Sequence, residues 1–132
     1  MKVHRKNPMK AAFSLVEMLV VIAVIGIIAA IAIPNIGKIN DTAEKSKDRR
    51  NAQNLASVCA SAQAAGLDFV GSETDPKVIV KQMVEVGGSP ADGPFQGTFF
   101  GVPGLDAEEQ VSATTYLTVA NGLLQYTGAG GN

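Results

Sequence analysis

Side chains able to do chemistry are few in this sequence, and the most conspicuous is placed where it costs most. In Lys10-Ala-Ala-Phe-Ser-Leu-Val-Glu-Met-Leu-Val-Val-Ile22, Glu17 stands four residues after Phe13. It directly precedes sixteen residues, 18–33, without a polar side chain. An acid deep in such a segment costs roughly 2.5–3.5 kcal/mol on insertion scales, and less near its end. Such a residue is a functional candidate by default, and its chemistry is charge pairing. The other candidates are weaker. His4 is the sole histidine and Cys59 the sole cysteine, and the acids Asp106, Glu108 and Glu109 cluster late in the chain. No phosphate-binding loop, G-x-S-x-G elbow, C-x-x-C pair or H-E-x-x-H helix occurs. The sequence therefore predicts no catalytic residue, no metal site and no cofactor. Calcium at the three late acids is a weaker alternative, because their spacing lacks a convincing ligand pattern.

The element that must hold Glu17 is the apolar run itself. About 20 apolar residues span a bilayer, so 13–33 is long enough to be a transmembrane helix. Lys2, Arg5, Lys6 and Lys10 precede it, and the first sixteen residues contain no Asp or Glu. That bias predicts a cytoplasmic N-terminus, with everything after the span outside. Charge followed by grease also fits a secretory signal peptide, with Ala30-Ile31-Ala32 as an A-x-A cleavage site. It fits an uncleaved single-span anchor equally. Neither alternative explains Glu17, and cleavage after Ala32 would discard it.

Ala12-Phe-Ser-Leu-Val-Glu17 followed by an unbroken apolar run resembles the type III signal of type IV pilins and type II secretion pseudopilins. The resemblance implies that a prepilin peptidase cuts between Ala12 and Phe13 on the cytoplasmic face and methylates the new amine of Phe13. It implies that Glu17 guides assembly, and that Pro34 occupies the place of the family's helix-kinking proline. The residue before the cut is usually Gly in that family and is Ala12 here. Strong resemblance covers about the first third of the chain.

Beyond the span, composition indicates a small domain on a stalk. Net charge is −1 overall, yet after Gly66 eight Asp/Glu face only Lys77 and Lys81, a head of about −6. An acidic head is the wrong sign for a phosphate backbone, so no nucleic-acid partner is expected. Residues 67–132 are too few for a comfortable free-standing core. The head should therefore lean on the stalk. A single cysteine allows no intrachain disulfide, and Cys59 reads as a small buried hydrophobe.

Periodicity extends the first helix far beyond the span, from Phe13 to about Ala65, roughly 80 Å at 1.5 Å per residue. Pro34 and Gly37 interrupt helix propensity, but Ile36, Ile39 and Ala43 maintain a stripe. Residues 44–51 are polar on all sides, which suits a solvated or subunit-bridging stretch. Leu55, Val58, Cys59 and Ala62 restore an apolar stripe on which the head should pack, and Gly66 is a stop signal. A second helix is predicted from the Asp75 cap and Pro76 to Gly87, with Ile79, Met83 and Val86 facing the core. Residues 87–97 read as a loop, 98–102 as a short strand, and Asp106-Ala-Glu-Glu109 as a capped helical turn. Asn121-Gly122 predicts a type I′ hairpin pairing Leu117 with Tyr126, Thr118 with Gln125, Val119 with Leu124 and Ala120 with Leu123.

The resulting expectation is an α+β protein. Residues 1–12 are a leader, 13–33 a membrane-spanning or filament-core helix, and 34–66 an amphipathic stalk. Residues 67–132 form a small extracytoplasmic head with a second helix and a short antiparallel sheet ending in a hairpin. By resemblance, it is a structural subunit of a type IV pilus-like or secretion pseudopilus filament, and not an enzyme. Its partners would be further copies in a helical filament, other pilins, the prepilin peptidase, the inner-membrane assembly machinery and, before assembly, membrane lipid. Its location would be the bacterial inner membrane, with a periplasmic head, and then the filament. Two alternatives stay open: a minor pilin whose head binds a ligand, and an uncleaved membrane-anchored protein.

Overall fold

The computed structural model describes residues 13–128. The chain divides into two compact units that meet between Asp41 and Thr42. The first helix, α1 (Leu15–Ala64, 50 residues), runs through both. It begins two residues later than the periodicity predicts because Phe13 and Ser14 stay non-helical, with Ser14 occupying the capping position.

Within the first unit the apolar side chains of α1 are exposed, and the helix is long and apolar enough to cross a membrane. Pro34 lies inside it. Proline removes one i→i−4 hydrogen bond there, yet the helix continues to Ala64.

The second unit is built on the last turns of α1. Ala52, Leu55, Cys59 and Ala62 recur at helical spacing and are fully buried or nearly so, while Val58 is half-buried at the edge of the same cluster. Gly66 ends the helix at φ 94°. The Leu67 N–H donates to Ala62 O (2.8 Å) and the Gly66 N–H to Gln63 O (3.0 Å), the paired closure that satisfies the last carbonyls.

The second helix, α2 (Pro76–Glu85), starts as predicted. Asp75 accepts from the Lys77 N–H, and Pro76 fills the first helical position, where no N–H is needed. Ile79, Val80 and Met83 are buried. Val86, expected on that apolar face, is instead 73% exposed. The helix has ended at Glu85, and Val86 is its C-cap, so Val80 takes the inward place.

Residues 98–102 do not form the expected strand; only Gly88 and Phe100 pair, as an isolated antiparallel bridge. The partner segment cannot extend a ladder, because Gly87 sits at φ 65° and Pro90 has no N–H to donate. The turn expected at Asp106 is a fuller helix, α3 (Ala107–Thr114), beside α2.

Strands β1 (Leu117–Ala120) and β2 (Leu123–Tyr126) form a two-stranded antiparallel sheet with the predicted register, from Leu117↔Tyr126 to Ala120↔Leu123. Leu117 and Leu124 face inward and are buried, whereas Thr118 and Gln125 point to solvent. The core thus joins Leu55 and Cys59 of α1, Ile79, Val80 and Met83 of α2, Ala113 of α3, and Leu117 and Leu124 of the hairpin. Burying each large aliphatic side chain contributes about 1.5–3 kcal/mol before ordering costs.

Candidate functional site

The start of α1 gathers the residues singled out by sequence. Phe13 is exposed and immediately precedes the helix; Ala12 lies outside the described residues. Glu17 occupies the third helical position. The first N–H groups of any helix lack partners within it, and here two are satisfied reciprocally. The Val16 N–H donates to Ser14 Oγ (3.3 Å), and the Ser14 N–H donates to Glu17 Oε2 (2.8 Å). This is the S-x-x-E capping arrangement. A carboxylate in a helix's first turn also meets the positive end of the macrodipole. Glu17 therefore has local polar company at the mouth of an apolar helix, and its side chain remains exposed.

Ser14 was not singled out by the sequence analysis. Its signal is present in the chain as Ser14-Leu-Val-Glu17 directly ahead of an apolar run. The same residues carry the membrane pattern, which masks the capping one.

A second polar constellation lies in the second unit. Glu44, Lys47, Asp48, Asp106, Glu108, Glu109 and Ser112 line an open pocket of about 200 Å³. Asp106 caps α3 by accepting from the Glu109 N–H (2.8 Å), and Glu109 Oε2 accepts from the Asp106 N–H (3.1 Å). The other carboxylate oxygen, Oε1, is paired with Lys47 Nζ from α1. Hydrogen bonding from Lys47, supported by the Asp106 N–H, lowers the Glu109 pKa, and the same contact raises that of Lys47. Arg49 lies 5.6 Å from the centre of the Tyr116 ring, within cation–π range. Among the described residues, no three His, Cys, Asp or Glu side chains converge to hold a metal ion.

The remaining predicted residues are dispersed. Pro34 lies inside α1. Asn121 and Gly122 form the tight turn between β1 and β2, with φ of 55° and 71°. Cys59 is buried, and that burial raises its thiol pKa, leaving it a packing residue with little thiolate character.

Residues 7–33 match the family model described as the prokaryotic N-terminal methylation motif. That motif is the type IV prepilin signal and supports a pilin or pseudopilin family for this chain. The match ends at Ile33 and bears on the N-terminal segment alone. No curated protein and no solved structure matches the chain.

Proposed function

We propose that the chain bearing this signal is a structural subunit of a pilus-like filament, either a type IV pilin or a type II secretion pseudopilin. The observation that carries the reading is the methylation motif over residues 7–33, with Glu17 as the one acid at the entrance to its apolar helix. The family defined by this signal is structural, and no catalytic role is proposed. The motif implies processing by a prepilin peptidase and assembly with other pilins.

In this reading residues 1–12 are a leader that keeps the N-terminus cytoplasmic. The peptidase cleaves between Ala12 and Phe13 and methylates the exposed amine of Phe13. Residues 13–33 hold the subunit in the inner membrane and later form the filament core, 34–66 act as a stalk, and 67–132 are a periplasmic head. Pro34 bends or loosens the helix where it leaves the membrane. Exposed apolar side chains along the first unit support this role. In lipid they are solvated by hydrocarbon, and in a filament the same surface packs against other copies. Glu17 directs entry because two charges are tolerated in an apolar setting mainly when paired. A subunit docking in the register that brings Glu17 to a neighbour's Phe13 amine relieves both.

The test is mass spectrometry of the protein isolated from its native membrane. The expected mature chain begins at N-methylated Phe13. Replacing Ala12 by Gly should leave processing as fast or faster, while Ala12→Leu should leave the precursor uncut. An intact N-terminus in a peptidase-positive cell, or equal processing of Ala12→Leu, would refute the assigned cleavage.

A further inference from the structure

Residues 67–132 carry two cations, Lys77 and Lys81, and both stand on one groove between α2 and α3. Its volume is about 250 Å³, and α3 lines it with Ala107 and Val111. Val111 is 57% exposed there despite its apolar side chain. The two lysines are i and i+4 on α2, so they share a face, and neither forms an ion pair among the described residues. Glu85, one turn further along the same groove, is not paired with Lys81. Helix chemistry does not account for Lys77 either. It lies in the first turn of α2, where the macrodipole disfavours a cation. The groove thus offers an apolar floor beside ammonium groups that serve no ion pair of their own head.

The loop at 91–97 carries the matching features. Residues 91–99 are exposed, yet the backbone is closed on itself. The Gln96 N–H donates to Gly93 O (3.1 Å), the Gly97 N–H to Pro90 O (3.2 Å) and the Thr98 N–H to Phe95 O (3.0 Å). Phe95, shared by the first and last of these turns, is 49% exposed and lies outside the core cluster. Phe99, by contrast, covers Gly87 and Gly101 of its own chain. The same loop carries Asp92. Backbone N–H groups of the chain already occupy the carboxylates of Asp68, Glu73, Asp75, Asp106 and Glu109. Glu85, Asp92 and Glu108 accept no hydrogen bond among the described residues. Of these three, Asp92 alone shares a loop with an exposed aromatic ring.

We propose that the groove between α2 and α3 receives the 91–97 loop of a second copy of the chain, with Phe95 on Ala107 and Val111 and Asp92 at Lys77 and Lys81. Charge selects this surface. Heads of about −6 repel one another, and this groove is the place within residues 67–132 where a neighbour's acid meets cations. Size agrees, since a cavity of about 150 Å³ holds benzene. An aromatic anchor in an apolar pocket is the usual energetic centre of an interface, and the closed turns of the loop leave little freedom to lose on docking. Loop and groove are different surfaces, so each copy gives one and receives one. Such heterologous contacts build rings or open helices; the open helix rests on the filament reading above.

Replacing Phe95 with p-benzoylphenylalanine keeps an aromatic side chain on the loop and cross-links it, on irradiation, to whatever it touches. The full chain carrying it is irradiated in its native cells, and the adducts are mapped by mass spectrometry. We expect chain-to-chain adducts within 77–85 or 107–114, in a ladder that extends beyond the dimer. Asp92→Lys should cut their yield at least about fivefold, because like charges then face each other. Adding Lys77→Glu and Lys81→Glu to the same chain should restore the yield, which a merely structural role for Asp92 would not allow. The contact is overturned by an absence of chain-to-chain adducts, by adducts to lipid, another protein or another face of the chain, or by failure of the reversed charges to rescue. A ladder that stops at the dimer would overturn the head-to-tail arrangement. An uncleaved N-terminus would sink the filament reading while groove adducts still established the contact; normal filaments without groove adducts would sink the contact alone.

Discussion

Asn121 and Gly122 hold φ of 55° and 71°, which brings the Cα of Ala120 opposite that of Leu123. Asparagine tolerates this left-handed region and glycine has no side chain to oppose it, so the pair sets the hairpin register locally. A Cβ at Gly122 would meet nothing within 4 Å. Any penalty there is therefore backbone strain and not a clash. Gly122→Val should destabilise the second unit by about 1–2 kcal/mol, because a β-branched residue is poorly accommodated at positive φ. Thermal unfolding of a soluble fragment beginning at Thr42 measures this, and an unchanged midpoint would contradict the strain.

Elements meet through charge as well as grease, and the Lys47–Glu109 pair links α1 to α3. Glu109 titrates lower when folded than when unfolded, chiefly through the Lys47 hydrogen bond. Its contribution is therefore present above the ordinary carboxylate range and is lost as pH falls through the folded value. Lys47 shifts upward for the same reason. Its contribution is present below the usual lysine value of 10.5 and is lost as pH rises through the raised one. Stability should thus plateau near neutrality and decline on both sides. Lys47 is 62% exposed, so the effect should be small and should shrink in salt. Comparing unfolding midpoints of the wild type and Lys47→Met across pH isolates the pair; coincident curves at low salt would show that it contributes nothing.

On the scale of the molecule, residues 67–132 share their core with the last turns of α1. Ala52, Leu55, Cys59 and Ala62 of α1 sit in the same buried cluster as Ile79, Met83 and Leu124. Residues 67–132 alone lose that wall and fall in the size range where a hydrophobic core is marginal. A fragment of residues 42–132 should unfold cooperatively, whereas 67–132 should show rapid amide exchange throughout and no thermal transition. A cooperative transition in the shorter fragment would mean that the stalk stripe is dispensable. The last turns of α1 belong to the compact unit that begins at Thr42.

Features encoded within a few neighbouring residues were legible in the sequence by itself. The apolar run announced a helix able to cross a membrane, Asp75-Pro76 announced the start of α2, Gly66 the end of α1, and Asn121-Gly122 the hairpin with its register. In each case backbone sterics or a local hydrogen bond decides the outcome, so no distant partner is needed. The methylation motif is equally local, lying within residues 7–33. What failed depended on partners far along the chain. The pattern at 98–102 is compatible with a strand, but its neighbour across the bridge contains Gly87 and Pro90 and cannot continue a ladder. Val86 is the local exception: it has the right spacing for the core, yet the helix stops one residue short of it. The partnership of Lys47 with Glu109 could not be read from either residue, because only tertiary packing brings the start of α3 to Lys47 of α1. Local sterics are written in adjacent residues, whereas ladders and ion pairs require two separated segments to arrive together, and the tertiary structure alone decides that.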